Sequence, residues 1–215
     1  MKILRGVTGR LMASLGMATL LLWAAAAQAQ GSGVAQLQRF IEHTRHASGA
    51  FEQTVEAASG RRPQTASGSF VFARPGKFRW QYETPYAQLL VSDGRRLWSW
   101  DEDLNQVTVQ ALGDALGNTP AAVIAGDGDL ERSFELVEAG SSDGLEWVLA
   151  TPRQTDSMFE SVRLGLSDNV LRRMEMRDNF GQRTVIDFSG FDASVNPSAD
   201  AFDFVPPPGA DVIQN

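Results

Sequence analysis

The stretch FVFARPGKFRW, residues 70–80, restricts the fold of this chain more than any other. Two aromatic runs flank a Pro75-Gly76 turn, the pattern of a hairpin. In strict alternation Phe70, Phe72 and Arg74 share one side of the first strand, and Phe78, Trp80 and Tyr82 one side of the second. A sheet face with so much ring area must be covered, either by its own core or by a ligand. An arginine on that face cannot be buried without a partner. The pattern therefore points to an apolar cavity with a polar latch, or to an ordinary core.

The period-2 pattern continues along most of the chain. It predicts strands at about 51–57, 68–74, 77–83, 87–92, 95–101 and 105–110. A second series falls at about 132–138, 144–150, 158–166, 170–177 and 182–190. Turn residues such as Asp93-Gly94, Asp143-Gly144 and Asp168-Asn169 separate them. Close antiparallel spacing of this kind favours a mainly β fold, one incomplete antiparallel barrel of roughly eleven strands, over βαβ units.

Two segments break the pattern. Residues 34–47 carry Val34, Leu37, Phe40 and Ile41 at helical spacing, with Ser32 as N-cap and Gly49 as stop. Residues 111–126 are small and apolar, with Pro120 placed to open a short helix at Ala121 to Ala125. A surface connection would be more polar, so both segments are expected to lie over the mouth of the sheet. The C-terminal piece contains Pro206-Pro207-Pro208, which bars it from a central strand position.

The first 29 residues read as an export signal. Lys2, Arg5 and Arg10 precede the apolar run Leu11 to Trp23, and Ala27-Gln28-Ala29 offers a cleavage site. Cleavage after Ala29 would leave residues 30–215 as one domain, exported to the periplasm. Those three bases belong to the 19 in the chain, and none of the 26 acidic residues lies among them, so 16 bases face 26 acids in the remainder. The resulting charge of −10 argues against nucleic-acid binding and against docking on anionic membranes. Cysteine is absent, so an exported domain must be held by its core alone.

Reaction chemistry is thin. His43 and His46, three apart on the expected helix, lack the further ligands a metal site needs. No nucleophile elbow or phosphate-cradling glycine loop occurs, and Gly126-Asp127-Gly128-Asp129 lacks the ligands of a calcium loop. No catalytic residue, metal or cofactor is expected. The residues describe an exported apolar binder with a lid.

Several motifs in series resemble the periplasmic outer-membrane lipoprotein carrier family, LolA. They are Arg74-Pro75-Gly76-Lys77-Phe78-Arg79-Trp80, Gln88 to Gly94 followed by Leu97-Trp98, and Asp103 to Val107. Gly117-Asn118-Thr119-Pro120, Gly181 to Thr184 and the C-terminal Phe202 to Ile213 follow in the same order. The resemblance implies an unclosed barrel whose cavity, under a helical lid, shields the acyl chains of triacylated lipoproteins. It implies an inner-membrane ABC transporter as donor and the outer-membrane receptor LolB as acceptor, with the carrier acting as a monomer and not inserting stably into a membrane. The family's arginine that bonds lid backbone falls on Arg74. Phe72, Phe78, Trp80, Tyr82, Leu89 and Val91 are the expected cavity and cargo-transfer residues. Leu112, Leu116, Pro120, Val123 and Ile124 are the expected lid residues. The alternatives are a lipid-sensing half-barrel of the sigma-regulator type and a lipid hydrolase, for which no nucleophile–base pair is placed.

Overall fold

A computed structural model of the chain describes residues 32–115, 119–126, 130–154 and 157–214. Helix α1 (Gly33–His43) opens where its cap predicts, with the Ala35 N–H donating to Ser32 Oγ at 3.3 Å. It ends four residues before the expected Ala47. Strand β1 (His46–Glu56) begins there, five residues earlier than the alternation suggests. The reason is tertiary. Ala47 pairs with Phe72 and Gly49 with Phe70, and a Cβ on Gly49 would stand 2.8 Å from the Phe70 ring. The small residues that give 46–50 no strand signal are those the neighbouring rings require. His43 thus closes a helix while His46 opens a strand, and the two share no helix face.

The remaining elements follow in hairpin order: β2 (Gln64–Ala73), β3 (Lys77–Thr84), β4 (Gln88–Asp93), β5 (Arg96–Asp101) and β6 (Gln106–Ala111). Three short helices come next, α2 (Leu112–Ala115), α3 (Pro120–Ala125) and α4 (Leu130–Ser133). The chain then runs through β7 (Phe134–Ser142), β8 (Leu145–Pro152), β9 (Phe159–Ser167), β10 (Val170–Asp178) and β11 (Arg183–Asp192). A 3₁₀ turn at Ala199–Phe202 leads to β12 (Asp211–Gln214).

The twelve strands of the described residues form one sheet in the order β12-β6-β5-β4-β3-β2-β1-β11-β10-β9-β8-β7. Neighbours are antiparallel except β12, which lies parallel to β6. β12 and β7 are its two edges, so the barrel is open. The twelfth strand escapes the sequence pattern because all four of its residues are exposed and carry no alternation. Its edge position agrees with the proline run before it.

The sheet buries side chains on both faces. On the concave face, Leu37 and Phe40 of α1 and Val123 and Ile124 of α3 join one cluster with the rings of β1–β3. On the outer face, Leu89, Val91 and Val107 are buried, along with Phe202 from the C-terminal segment. Phe204 lies 6.3 Å from the Trp98 ring and 6.5 Å from the Trp100 ring.

Candidate functional site: an apolar wall under a helical lid

Register decides which side chains share the concave face. Phe72 stands opposite Phe78, Phe70 opposite Trp80, and Gly68 opposite both Tyr82 and Phe51. The glycine leaves room for its neighbours: Phe51 stacks on Trp80 at 4.3 Å and meets Tyr82 edge-on at 5.1 Å. Phe70 stacks on Trp80 at 5.6 Å, and Phe188 meets Phe70 edge-on at 5.7 Å. Such ring pairs contribute about 0.5–1.5 kcal/mol each beyond the area they bury. Further round the sheet the wall becomes aliphatic, through Ile186, Met174, Leu164 and Val148, all buried.

The same register removes Leu89 and Val91 from this wall. Leu90 opposes Trp80, whereas Leu89 opposes Gln81 and Val91 opposes Arg79. Both residues are buried, but on the outer face, paired with Trp100 and Trp98. The run Leu89-Leu90-Val91 is apolar on both faces, so alternation alone could not choose between them.

Arg74 follows β2 directly. Its guanidinium lies 5.2 Å from the Phe40 ring centre and 5.1 Å from that of Phe72, bridging α1 and the sheet. Its Nε is buried without a hydrogen-bond partner among the described residues. Burial pulls its pKa down to about 10. What joins α3 to the hairpin is backbone: the Gly76 N–H donates to the Ala125 carbonyl at 2.7 Å. Sequence reasoning missed that bond, although the Pro75-Gly76 turn marks where the chain can approach so closely.

Helices α2 and α3 pack against the wall. Leu112, Val123 and Ile124 are 7%, 5% and 5% exposed, and Pro120 is half-buried. Leu116 lies outside the described residues. A cavity of only about 10 Å³ remains between Leu37, Phe40, Arg74, Val123, Ile124 and Met174. α1 is fastened by polar contacts as well. The Val34 N–H donates to Glu138 Oε1 at 3.0 Å, and the Asn169 N–H to Gln36 Oε1 at 2.9 Å.

A profile of the family described as Outer membrane lipoprotein carrier protein LolA matches residues 42–205. The chain belongs to the LolA family. Its relatives include the outer-membrane lipoprotein carrier protein of Nitrosospira multiformis, 49% identical over 85% of this chain and 88% of the relative. The protein of that name from Dechloromonas aromatica is 46% identical over 86% and 89%. Among solved structures, an uncharacterized conserved protein from Thermus thermophilus shares the fold, with a TM-score of 0.51 at 10% identity over 85% of this chain and 96% of that one. LolA proteins are periplasmic carriers rather than enzymes. Among the described residues no group of three or more metal-ligating side chains occurs, and no helix is long and apolar enough to cross a membrane.

Proposed function

We propose that this LolA-family chain, cleaved after Ala29, works in the periplasm as a monomeric single domain of residues 30–215. It carries lipoproteins with their acyl chains against the concave wall. The observation that carries this reading is the wall itself, in which Phe72, Phe78 and Trp80 are buried in one cluster with Val123 and Ile124 of α3. An acyl chain can replace Val123 and Ile124 there with no loss of sheet pairing. Leu112, Pro120 and Ile124 move with the lid, and Phe78 and Tyr82 contact cargo as it passes through.

Binding and release must balance. Each methylene withdrawn from water contributes about 0.8 kcal/mol, so one shielded chain could contribute over ~10 kcal/mol. The closed lid competes: opening it exposes Val123 and Ile124, at roughly 1.5–3 kcal/mol each, and breaks the Gly76–Ala125 bond. Arg74 is the latch. It favours the state in which it stacks on Phe40 and Phe72, and a cation on the wall is a poor neighbour for hydrocarbon. In this scheme an inner-membrane ABC transporter loads the carrier and the receptor LolB accepts the cargo.

Spheroplasts incubated with the purified mature protein test the carrier role. Newly made lipoproteins should leave the inner membrane in a soluble one-to-one complex, and LolB should then withdraw them. Retention of lipoproteins by the membrane with the protein folded would overturn the proposal.

A further inference from the structure

The concave face holds a second space, at the opposite end of β2 and β3 from Gly76 and the lid. It is a cavity of about 830 Å³, within the ~300–1,000 Å³ range of small-molecule sites. Tyr82, Gln53 and Gln88 line it, as do Tyr86 and Leu104 on the flanking turns, 71% and 68% exposed. Tyr82 meets Phe51 edge-on, so the space adjoins the aromatic wall.

Its lining differs from that wall. Hydrocarbon alone would leave the remaining polar atoms of the Gln53 and Gln88 amides without partners. The groups present are rich in donors. The Tyr82 hydroxyl donates to Gln53 Oε1 at 3.1 Å, and Gln88 Nε2 reaches Ser99 Oγ only at 3.5 Å. Burial raises the Tyr82 pKa, and the nearby Trp80 indole opposes that shift. Trp80 is 3% exposed, and its Nε1–H meets no acceptor in hydrogen-bond geometry among the described residues. A buried donor left without an acceptor beside an acyl-binding wall calls for one. The strong acceptors of an acylated ligand are its ester and amide carbonyls.

We propose that this mouth binds the carbonyl-bearing junction of the cargo, where acyl chains are esterified to a glyceryl unit. The chains then run past Phe51 and Trp80 toward the lid. The inference rests on the carrier reading. Diacyl phospholipids share this junction, and charge separates the two sources. Asp101 and Asp103 line the cavity, and no lysine or arginine does so among the described residues. Arg61 and Arg62 line a neighbouring groove. Two carboxylates at the mouth disfavour a phosphate head group and favour an uncharged glyceryl-cysteinyl one.

Calorimetric titration of the mature chain with three soluble short-chain ligands tests this. They are a dioctanoylglyceryl-cysteinyl peptide, its diether analogue without the ester carbonyls, and dioctanoyl phosphatidylglycerol. The diester peptide should bind about tenfold more tightly than the diether, the loss expected for one or two hydrogen bonds. Tyr82→Phe should abolish most of that preference, weakening the diester peptide more than the diether. Phosphatidylglycerol should bind more weakly than the diester peptide, and Asp101→Asn with Asp103→Asn should narrow the gap. Equal affinity for diester and diether, or a preference that survives Tyr82→Phe, overturns the inference and leaves the carrier reading standing. Tighter binding of phosphatidylglycerol assigns the mouth to phospholipid and overturns the inference as stated. Failure of all three ligands to bind overturns both.

Discussion

The Gly76 N–H donates to the Ala125 carbonyl at 2.7 Å, tying the turn between β2 and β3 to the last residue of α3. The same glycine lies against α2: a Cβ at position 76 would stand 2.8 Å from Leu112 Cδ2. One residue of a hairpin turn therefore meets two of the lid helices. Its φ of +71° is a conformation glycine adopts freely and other residues resist.

Gly76→Ala should loosen the lid. The added methyl meets Leu112 and the backbone is strained, together about 1–3 kcal/mol. Thermal unfolding should show a lower Tm, and an environment-sensitive apolar dye should fluoresce more strongly with the unloaded protein. A lowered Tm with unchanged dye binding would place the strain in the sheet instead of the lid.

Arg74→Leu should still load cargo but release it slowly. The substitution replaces a desolvated cation with hydrocarbon on the wall where the proposed function places the acyl chains, so the loaded state should gain more than the closed one. A tenfold longer-lived complex corresponds to about 1.4 kcal/mol, well within the scale of a buried charge. The decay of the purified complex in the presence of LolB measures it, and decay at the wild-type rate would end the latch role.

Phe202→Ala should separate stability from binding. Phe202, in the C-terminal segment packed on the outer face, is 3% exposed, so its truncation should lower stability by about 3–5 kcal/mol. Acyl-ligand affinity, measured below the shifted Tm, should stay within a factor of two or so of wild type, because the concave wall is untouched. A large loss of affinity would show that the two faces are coupled.

Gly49→Ala should destabilise through the rings. The new Cβ would stand 2.8 Å from Phe70 Cζ and 2.9 Å from the Ser189 carbonyl oxygen, and the backbone atom cannot swing aside. Overpacking of this kind costs about 1–3 kcal/mol. Chemical denaturation should give a lower midpoint with an unchanged m-value. Unchanged stability would mean that Phe70 can repack.

Much of this protein was written locally. Strict alternation with turn residues between runs marked eleven strands and the antiparallel hairpins that join most of them, since side-chain direction in a strand follows from the backbone alone. Pro120 marked the start of α3, and Ser32 the start of α1. What the sequence could not supply were choices made by partners distant in the chain. Ala47 and Gly49 became strand because Phe72 and Phe70 needed small neighbours across the ladder. β12 formed because β6 offered a free edge to four exposed residues. Leu89 and Val91 went to the outer face because Trp80 fixed Leu90 on the concave one, in a run apolar on both sides. The bond between Gly76 and Ala125 belongs to the same class, since two backbone groups so far apart in the chain leave no trace in composition or period. Local patterning sets which residues can be buried, and only tertiary packing decides against what.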